Sequence, residues 1–172
     1  MVIDIETTGL NSNPENGAVD DITEVAAVKI EGGKITEKFR SFCACPIPLP
    51  KEIVELTGIC DADLENAPSV GEALKNLRDF CGESEIVGHN VPFDLGFLNY
   101  HGARYGITFK KEYADTLTMS RALLKDKIVN HRLVTVAEYF KIKFKGHRAL
   151  HDALTTAKIF IKLSKLQDKA KN

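Results

Sequence analysis

The sequence lacks any apolar run of about 18 residues, so none of its helices is built to cross a membrane. Its opening residues, MVIDIETT, carry two acids and no basic stretch, so they are not expected to form a secretory signal. Cysteine is scarce. Cys43, Cys45, Cys60 and Cys81 follow a C-x-C spacing and then gaps of 15 and 21, which matches no paired CxxC zinc pattern. They read as reduced thiols packed as small hydrophobes, as expected of a cytoplasmic protein. Repeats and low-complexity segments are absent too. What remains is 172 residues, 44% hydrophobic and 27% charged, an ordinary globular composition. That composition excludes a disordered chain, a collagen-like fibre and a disulfide-stapled miniprotein. A single domain is expected over residues 1–167, with 168–172 as a frayed tail.

The net charge of −1 conceals an asymmetry. Residues 1–86 hold 7 Lys/Arg against 17 Asp/Glu, and residues 87–172 hold 16 against 7. Such a chain either presents a polyanion-attracting face beside a cation-attracting one, or interleaves the halves so that the field averages out.

The polar stretch NSNPENGAVDD, residues 11–21, reads as a loop between two strand-like runs, MVIDI and ITEVAAVKI. Gly32-Gly33 joins the second run to KITEKFRSF as a hairpin, and the prolines of CPIPLP end that third strand. PKEIVELTG forms a short helix stopped by Gly58, and Ser69 to Glu72 has the form of a capping box. Ile86–Gly88 is a short buried strand, and Asn90 is placed to cap the helix that follows. A short edge strand is expected over 112–115, with helices over about 116–124, 132–140 and 149–166. Leu154, Ala157, Ile161 and Leu166 are expected to share the buried face of the last helix. The pattern predicts an α/β fold: an antiparallel meander of strands 1–3, then parallel strands 4 and 5, flanked by helices.

Four carboxylates stand out by context. Asp4 and Glu6 lie two apart on the first, central strand and so point to one face. Asp94 comes early in a helix, and Asp152 in the first turn of the last helix. No lysine or arginine lies within 20 residues of Asp4 and Glu6 in sequence. Such a pair is costly unless it is solvated, paired or metal-bound, and fraying into solvent beside the loop is the plain alternative. Clustered carboxylates suit hard ions such as Mg²⁺ or Mn²⁺, and two such ions can promote phosphodiester hydrolysis. His147, five residues before Asp152, is of the residue type that takes a proton near neutral pH.

The segments IDIETTGL, GHNVPFDLGFL and HRALHDA, in this order and spacing, resemble the three motifs of DnaQ-like exonucleases of the DEDDh branch. The resemblance covers about residues 2–166. It maps the first motif's acids onto Asp4 and Glu6, the second's onto Asp94, and the third motif onto His147 and Asp152. Arg148 stands where the tyrosine branch has Tyr, so the histidine branch is implied. ITEVAAVKI, with Glu24, is similar to the family's second strand. IPLPKEIVELTGI is similar to its segment near the terminal base, and Asn130-His131-Arg132-Leu133 resembles the PolC-type polymerase exonuclease segment. The resemblance implies an RNase H-like fold, two Mg²⁺ or Mn²⁺ ions on Asp4, Glu6, Asp94 and Asp152, and 3′→5′ release of nucleoside 5′-monophosphates. It also implies that Thr7, Thr8, Gly9, Leu10, His89, Asn90 and Phe93 line the pocket for the 3′-terminal nucleotide. Backbone N–H groups at Thr8-Gly9 and the apolar faces of Leu10 and Phe93 suit that role.

The implied substrate is the 3′ end of single-stranded or frayed DNA, and the implied partner is a DNA polymerase subunit or domain. The chain reads either as a domain of a longer polymerase or as a short free-standing exonuclease. Oligoribonucleases usually have Met where Thr7 stands, which favours DNA over the alternative of an exoribonuclease of the same fold. A catalytically silent nucleic-acid-binding module is a further alternative, opposed by the five filled catalytic positions. Gln167 is followed by Asp168 and Lys169, so no sliding-clamp motif is formed. His101 and His131 are expected to be structural, and Lys141, Lys143, Lys145 and Arg148 either line the substrate backbone or face solvent.

Overall fold

A computed structural model describes residues 1–109 and 112–171. Its strands are β1 (Val2–Thr7), β2 (Ile22–Glu31), β3 (Lys34–Phe42), β4 (Ile86–Gly88) and β5 (Tyr113–Asp115). They form one sheet in the order β3-β2-β1-β4-β5. β1, β2 and β3 are antiparallel, and β4 and β5 add in parallel, as expected from the sequence. Gly32 and Gly33 both have positive φ, 57° and 73°, as a tight two-residue hairpin requires.

The helices are α1 (Lys51–Thr57), α2 (Asp61–Leu64), α3 (Val70–Cys81), α4 (Val91–Ala103), α5 (Thr116–Leu123), α6 (Leu133–Tyr139) and α7 (Ala149–Lys171). Gly58, left-handed at φ 69°, stops α1, and Ser69 Oγ accepts from the N–H of Glu72 at the start of α3. α2 and a 3₁₀ turn at Pro14–Asn16 were not anticipated. α7 runs to Lys171, so residues 168–171 of the expected frayed tail are helical; Asn172 lies outside the described residues. Among the described residues no helix is long and apolar enough to cross a membrane, and the four cysteines are free thiols.

The sheet divides the core by strand alternation. Ile3, Ile5, Val25 and Ala27 pack toward α3 and α4, against Leu74, Leu77, Phe97 and Leu98. Val2, Ala26, Val28 and Val87 face α7 through Ala149, Ala153 and Ala157. Of the expected face of α7, Ala157 is borne out and the other three residues are corrected. Leu154, Ile161 and Leu166 are only partly buried, whereas Ala149, Ala153, Ala157, Ile159 and Leu163 are fully buried. Alanines four apart let the helix axis approach the strands closely. That proximity brings the first turn of α7 against the acidic end of β1.

Candidate active site

β1 sets the first two acids. Asp4 lies opposite Ala26 and Glu6 opposite Glu24, on the face that carries Val2 toward α7. The pairing slips by one residue between Glu6 and Thr7, so regular strand ends just past the second acid. β4 pairs with β1 only at Val2↔Val87, leaving the rest of that edge to the start of α4. There Asp94, in the first turn of α4, is buried and receives a backbone hydrogen bond from Ile5. Asp152, in the first turn of α7, accepts the N–H of His147 on Oδ2 at 3.1 Å. Carboxylate oxygens of Asp4, Glu6 and Asp152 lie within 4.8 Å of one another. Asp94 lies outside that triplet but close enough to raise the pKa of Asp4.

The electrostatics follow from burial of like charges. Burial holds the Asp4 carboxyl well above its usual range, with Asp94, Asp152, Glu6 and Glu24 adding to it. Burial, then Asp152 and Glu24, push Glu6 up to about 8, against the opposing pull of Arg148. Asp94 is raised to about 8 by burial, opposed by backbone N–H donors. Asp152 is raised to about 6 by burial, against the His147 N–H. Oδ1 of Asp152 is buried without a hydrogen-bond partner. Three carboxylates converging on oxygen alone, with Asp94 nearby and one Asp152 oxygen left without a partner, fit a hard divalent cation such as Mg²⁺ or Mn²⁺.

Glu24 shows what the site residues are not. It is fully buried, yet it accepts Arg148 Nε and Nη2 at 3.1 Å each and Ala149 N–H at 3.0 Å, with Arg40 Nε 3.6 Å away. Both guanidiniums stack over the Phe42 ring, at 5.1 and 5.4 Å. Arg148 is thus committed to Glu24 rather than aligned with the lysines along a substrate backbone. The pair ties β2 to the start of α7 and flanks His147, which is exposed and held at φ 63°, uncommon for a residue with a side chain. Sequence reading matched Glu24 to a strand but missed this role. A lone glutamate in a buried apolar strand was the available signal.

The residues expected around a terminal nucleotide divide into three groups. Thr7 donates to Gly9 O at 2.5 Å, Thr8 Oγ1 accepts Asp21 N–H, and Thr8 N–H goes to Asp21 O. Both threonines are buried and shape the turn, so Thr8 does not offer a free N–H. A Cβ at Gly9 would collide with the Asp20 carboxylate, so this glycine admits Asp20 into the turn. Asp20 in turn binds Asn11 N–H, and its carbonyl accepts His101 Nε2, which confirms His101 as structural. Leu10, in contrast, is 84% exposed. Ser12 lies against Gly96, three residues beyond Phe93 on α4, so this turn runs over the face carrying Phe93. Phe93 itself packs on Phe97, with ring centroids 5.1 Å apart.

His89 and Asn90 form the third group, beyond the end of β4. His89 Nδ1 contacts Thr116 Oγ1 and Nε2 contacts His131 O, both at 2.9 Å; burial lowers its pKa. Asn90 is left-handed at φ 72° and makes no side-chain cap, contrary to expectation. Its N–H donates to Asp115 Oδ1 instead. Residue 90 therefore acts through its backbone turn, which Asn tolerates better than most side chains do.

Comparison with known proteins identifies the family and the fold. Residues 1–160 match the RNase_T model, described as exonuclease. The chain is 40% identical over 170 residues to the PolC-type DNA polymerase III of Caldanaerobacter subterraneus subsp. tengcongensis, covering 98% of this chain and 12% of that protein. It is 36% identical over 165 residues to DNA polymerase III subunit epsilon of Aquifex aeolicus, covering 95% and 79%. The fold is that of a solved structure of Exonuclease X in complex with 5′ overhanging duplex DNA. The TM-score is 0.75 at 22% identity, over 97% of this chain and 92% of that one. This is the RNase H-like architecture expected from the sequence. The chain spans about an eighth of the length of its PolC-type relatives.

Proposed function

The chain belongs to the RNase_T exonuclease family, and on that premise we propose that it hydrolyses DNA from the 3′ end, releasing nucleoside 5′-monophosphates. The observation that carries this reading is the convergence of Asp4, Glu6 and Asp152 oxygens within 4.8 Å, with Asp94 beside them and no Lys or Arg ion pair to any of the four among the described residues. Asp4, Glu6, Asp94 and Asp152 would hold two divalent ions, Mg²⁺ or Mn²⁺. When bound, these would neutralise the scissile phosphate and stabilise the charge of the leaving oxygen. His147, exposed at the rim and fixed through its backbone to Asp152, takes the proton of the attacking water. Leu10 and Phe93 hold the terminal base by apolar contact. Single-stranded or frayed DNA as substrate, action with a replicative polymerase, and a cytoplasmic location complete the proposal, supported by the names of the relatives and the free thiols. Residues 1–167 act as one exonuclease domain in this reading.

The test is hydrolysis of 3′- and 5′-labelled single-stranded DNA and RNA oligomers with Mg²⁺. Wild-type protein is expected to shorten DNA from the 3′ end, with Asp4→Ala almost inactive. Asp4→Ala cleaving at the wild-type rate would sink the site. Preference for RNA would make the protein an exoribonuclease, and binding without cleavage would make it a silent binding module.

A further inference from the structure

Beside the start of α4, and away from the carboxylates, a cavity of about 730 Å³ opens between β4, α5 and α6. Its walls include His89, Asn90, Arg121, Asn130, His131 and Arg132. Arg121 and Arg132 are exposed, and neither guanidinium forms an ion pair or hydrogen bond with the described residues. The contrast with Arg40 and Arg148, both spent on Glu24, is direct. Asn130 Oδ1 is occupied by Arg132 N–H at 3.0 Å and Thr135 Oγ1 at 2.8 Å, so its amide N–H groups are left to donate outward. His131 Nδ1 is buried with no partner. The nearby carboxylate, Asp115, already accepts from Asn90 N–H, Leu117 N–H and Thr118 Oγ1. Unspent donors and unpaired positive charge thus gather in one concave place.

We infer that this cavity binds the sugar–phosphate backbone of the single strand beyond its terminal nucleotide. The inference rests on the nuclease reading only for where the strand end sits. Asn90 begins the helix that carries Asp94 one turn later, a distance of about 5–6 Å along the axis. A strand whose last phosphodiester lies at the carboxylates would meet this cavity at its Asn90 wall, and its next phosphates would enter the space lined by Arg121 and Arg132. Arginine forks suit phosphate oxygens, and neutral donors such as Asn130 fix the register. The acidic wall would repel those phosphates, so a basic cavity one turn away supplies the affinity that the catalytic wall lacks. The charge asymmetry of the sequence has a local expression here: both arginines come from the basic half of the chain.

The experiment compares wild type with the double variant Arg121→Ala/Arg132→Ala. Affinity for a 5′-fluorescent oligothymidylate of eight nucleotides is read by anisotropy, with Ca²⁺ replacing Mg²⁺, at several salt concentrations. Competition by thymidine 5′-monophosphate reads the terminal-nucleotide site alone. Loss of two phosphate contacts should weaken the oligomer roughly ten- to hundredfold and reduce the slope of log K against log salt by about 1.4. Monophosphate affinity should change less than twofold, and thermal stability should hold, since both side chains are exposed and unpaired. Arg121→Lys/Arg132→Lys should recover most of the salt slope but not all of the affinity. Equal loss of monophosphate and oligomer binding would assign the cavity to the terminal nucleotide and overturn the inference. Unchanged oligomer affinity, or a wild type that binds no oligomer, would overturn it as well. Cleavage of the same oligomer with Mg²⁺ is measured in parallel. A protein that shows the predicted binding pattern without cleaving loses the nuclease reading and keeps the backbone-binding cavity.

Discussion

Glu6 and Glu24 face each other across adjacent strands, on the same side of the sheet, yet they live in opposite circumstances. Glu24 is sealed from solvent and satisfied by Arg148, Ala149 N–H and nearby Arg40. Glu6 has Asp4 and Asp152 for company and is raised to about 8 by burial and by its acidic neighbours. The fold has two arginines within reach of this surface and spends both on the structural glutamate. The lesson is that Asp4, Glu6 and Asp152 form no Lys or Arg ion pair among the described residues, which leaves their oxygens open to a cation. The protein's own cations are held one residue pair away, where they set geometry.

Breaking the acidic side of the comparison should have the largest effect. Asp152→Ala removes both an orphaned oxygen and the acceptor of the His147 N–H, so it should reduce hydrolysis by several orders of magnitude. The fold should stay intact or gain slightly, because one member of a repelling cluster is gone. Gel assays of 3′ shortening, alongside thermal melts, check both halves of this expectation. His147→Ala comes next, with an expected loss of about two to four orders of magnitude, the scale of general base help. Wild-type speed in that variant would hand the proton to His151 or to bulk hydroxide.

Breaking the paired side should act on stability first. Arg148→Ala leaves Glu24 buried and charged without its bidentate partner, at a cost of about 3 kcal/mol in urea unfolding. Glu24→Leu/Arg148→Met should restore most of that stability, since apolar replacement of a buried ion pair is often neutral. The smallest effect belongs to the rim. Leu10→Ala should weaken binding of the 3′ end by about 1 kcal/mol, roughly fivefold, with no change in melting temperature because the side chain is 84% exposed. Phe93→Ala should lower both, because its ring also packs on Phe97.

Much of this was legible in the sequence because strand alternation and helix punctuation are local. β1 to β3, the glycine hairpin and the stop at Gly58 follow from residues a few positions apart. The acidic pair was legible for the same reason: two acids two residues apart on a strand share a face. What could not be read was set by distant partners. Glu24 and Arg148 are 124 residues apart, and nothing local pairs them. The buried face of α7 was misjudged because large residues attracted attention, whereas the small alanines allow the close approach to the sheet. Thr7, Thr8 and Gly9 read as substrate contacts, and the distant loop residues that shape their turn, Asp21 bonded to Thr8 and Asp20 packed on Gly9, were not legible locally. Arg121 and Arg132 gained meaning only when α5 and α6 left them unpaired around one cavity.

The central claim is that four carboxylates are held together against their own repulsion for a divalent cation. Its most direct test is thermal stability against pH, with and without metal. Unfolded carboxylates titrate near 4, whereas the folded values are about 6 for Asp152 and about 8 for Glu6 and Asp94. Between those limits these three groups hold protons in the folded chain that they have released in the unfolded one, so their contribution to stability falls as pH rises from about 4 to about 8. A cation favours the ionised acids and reverses that loss. The account predicts that metal-free protein melts progressively lower across this window, and that millimolar Mg²⁺ or Mn²⁺ raises the melting temperature more at pH 8 than at pH 5. Asp4→Asn should flatten the metal-free slope and weaken the metal response. A melting temperature independent of pH across the window, and unmoved by either ion at pH 8, would contradict it.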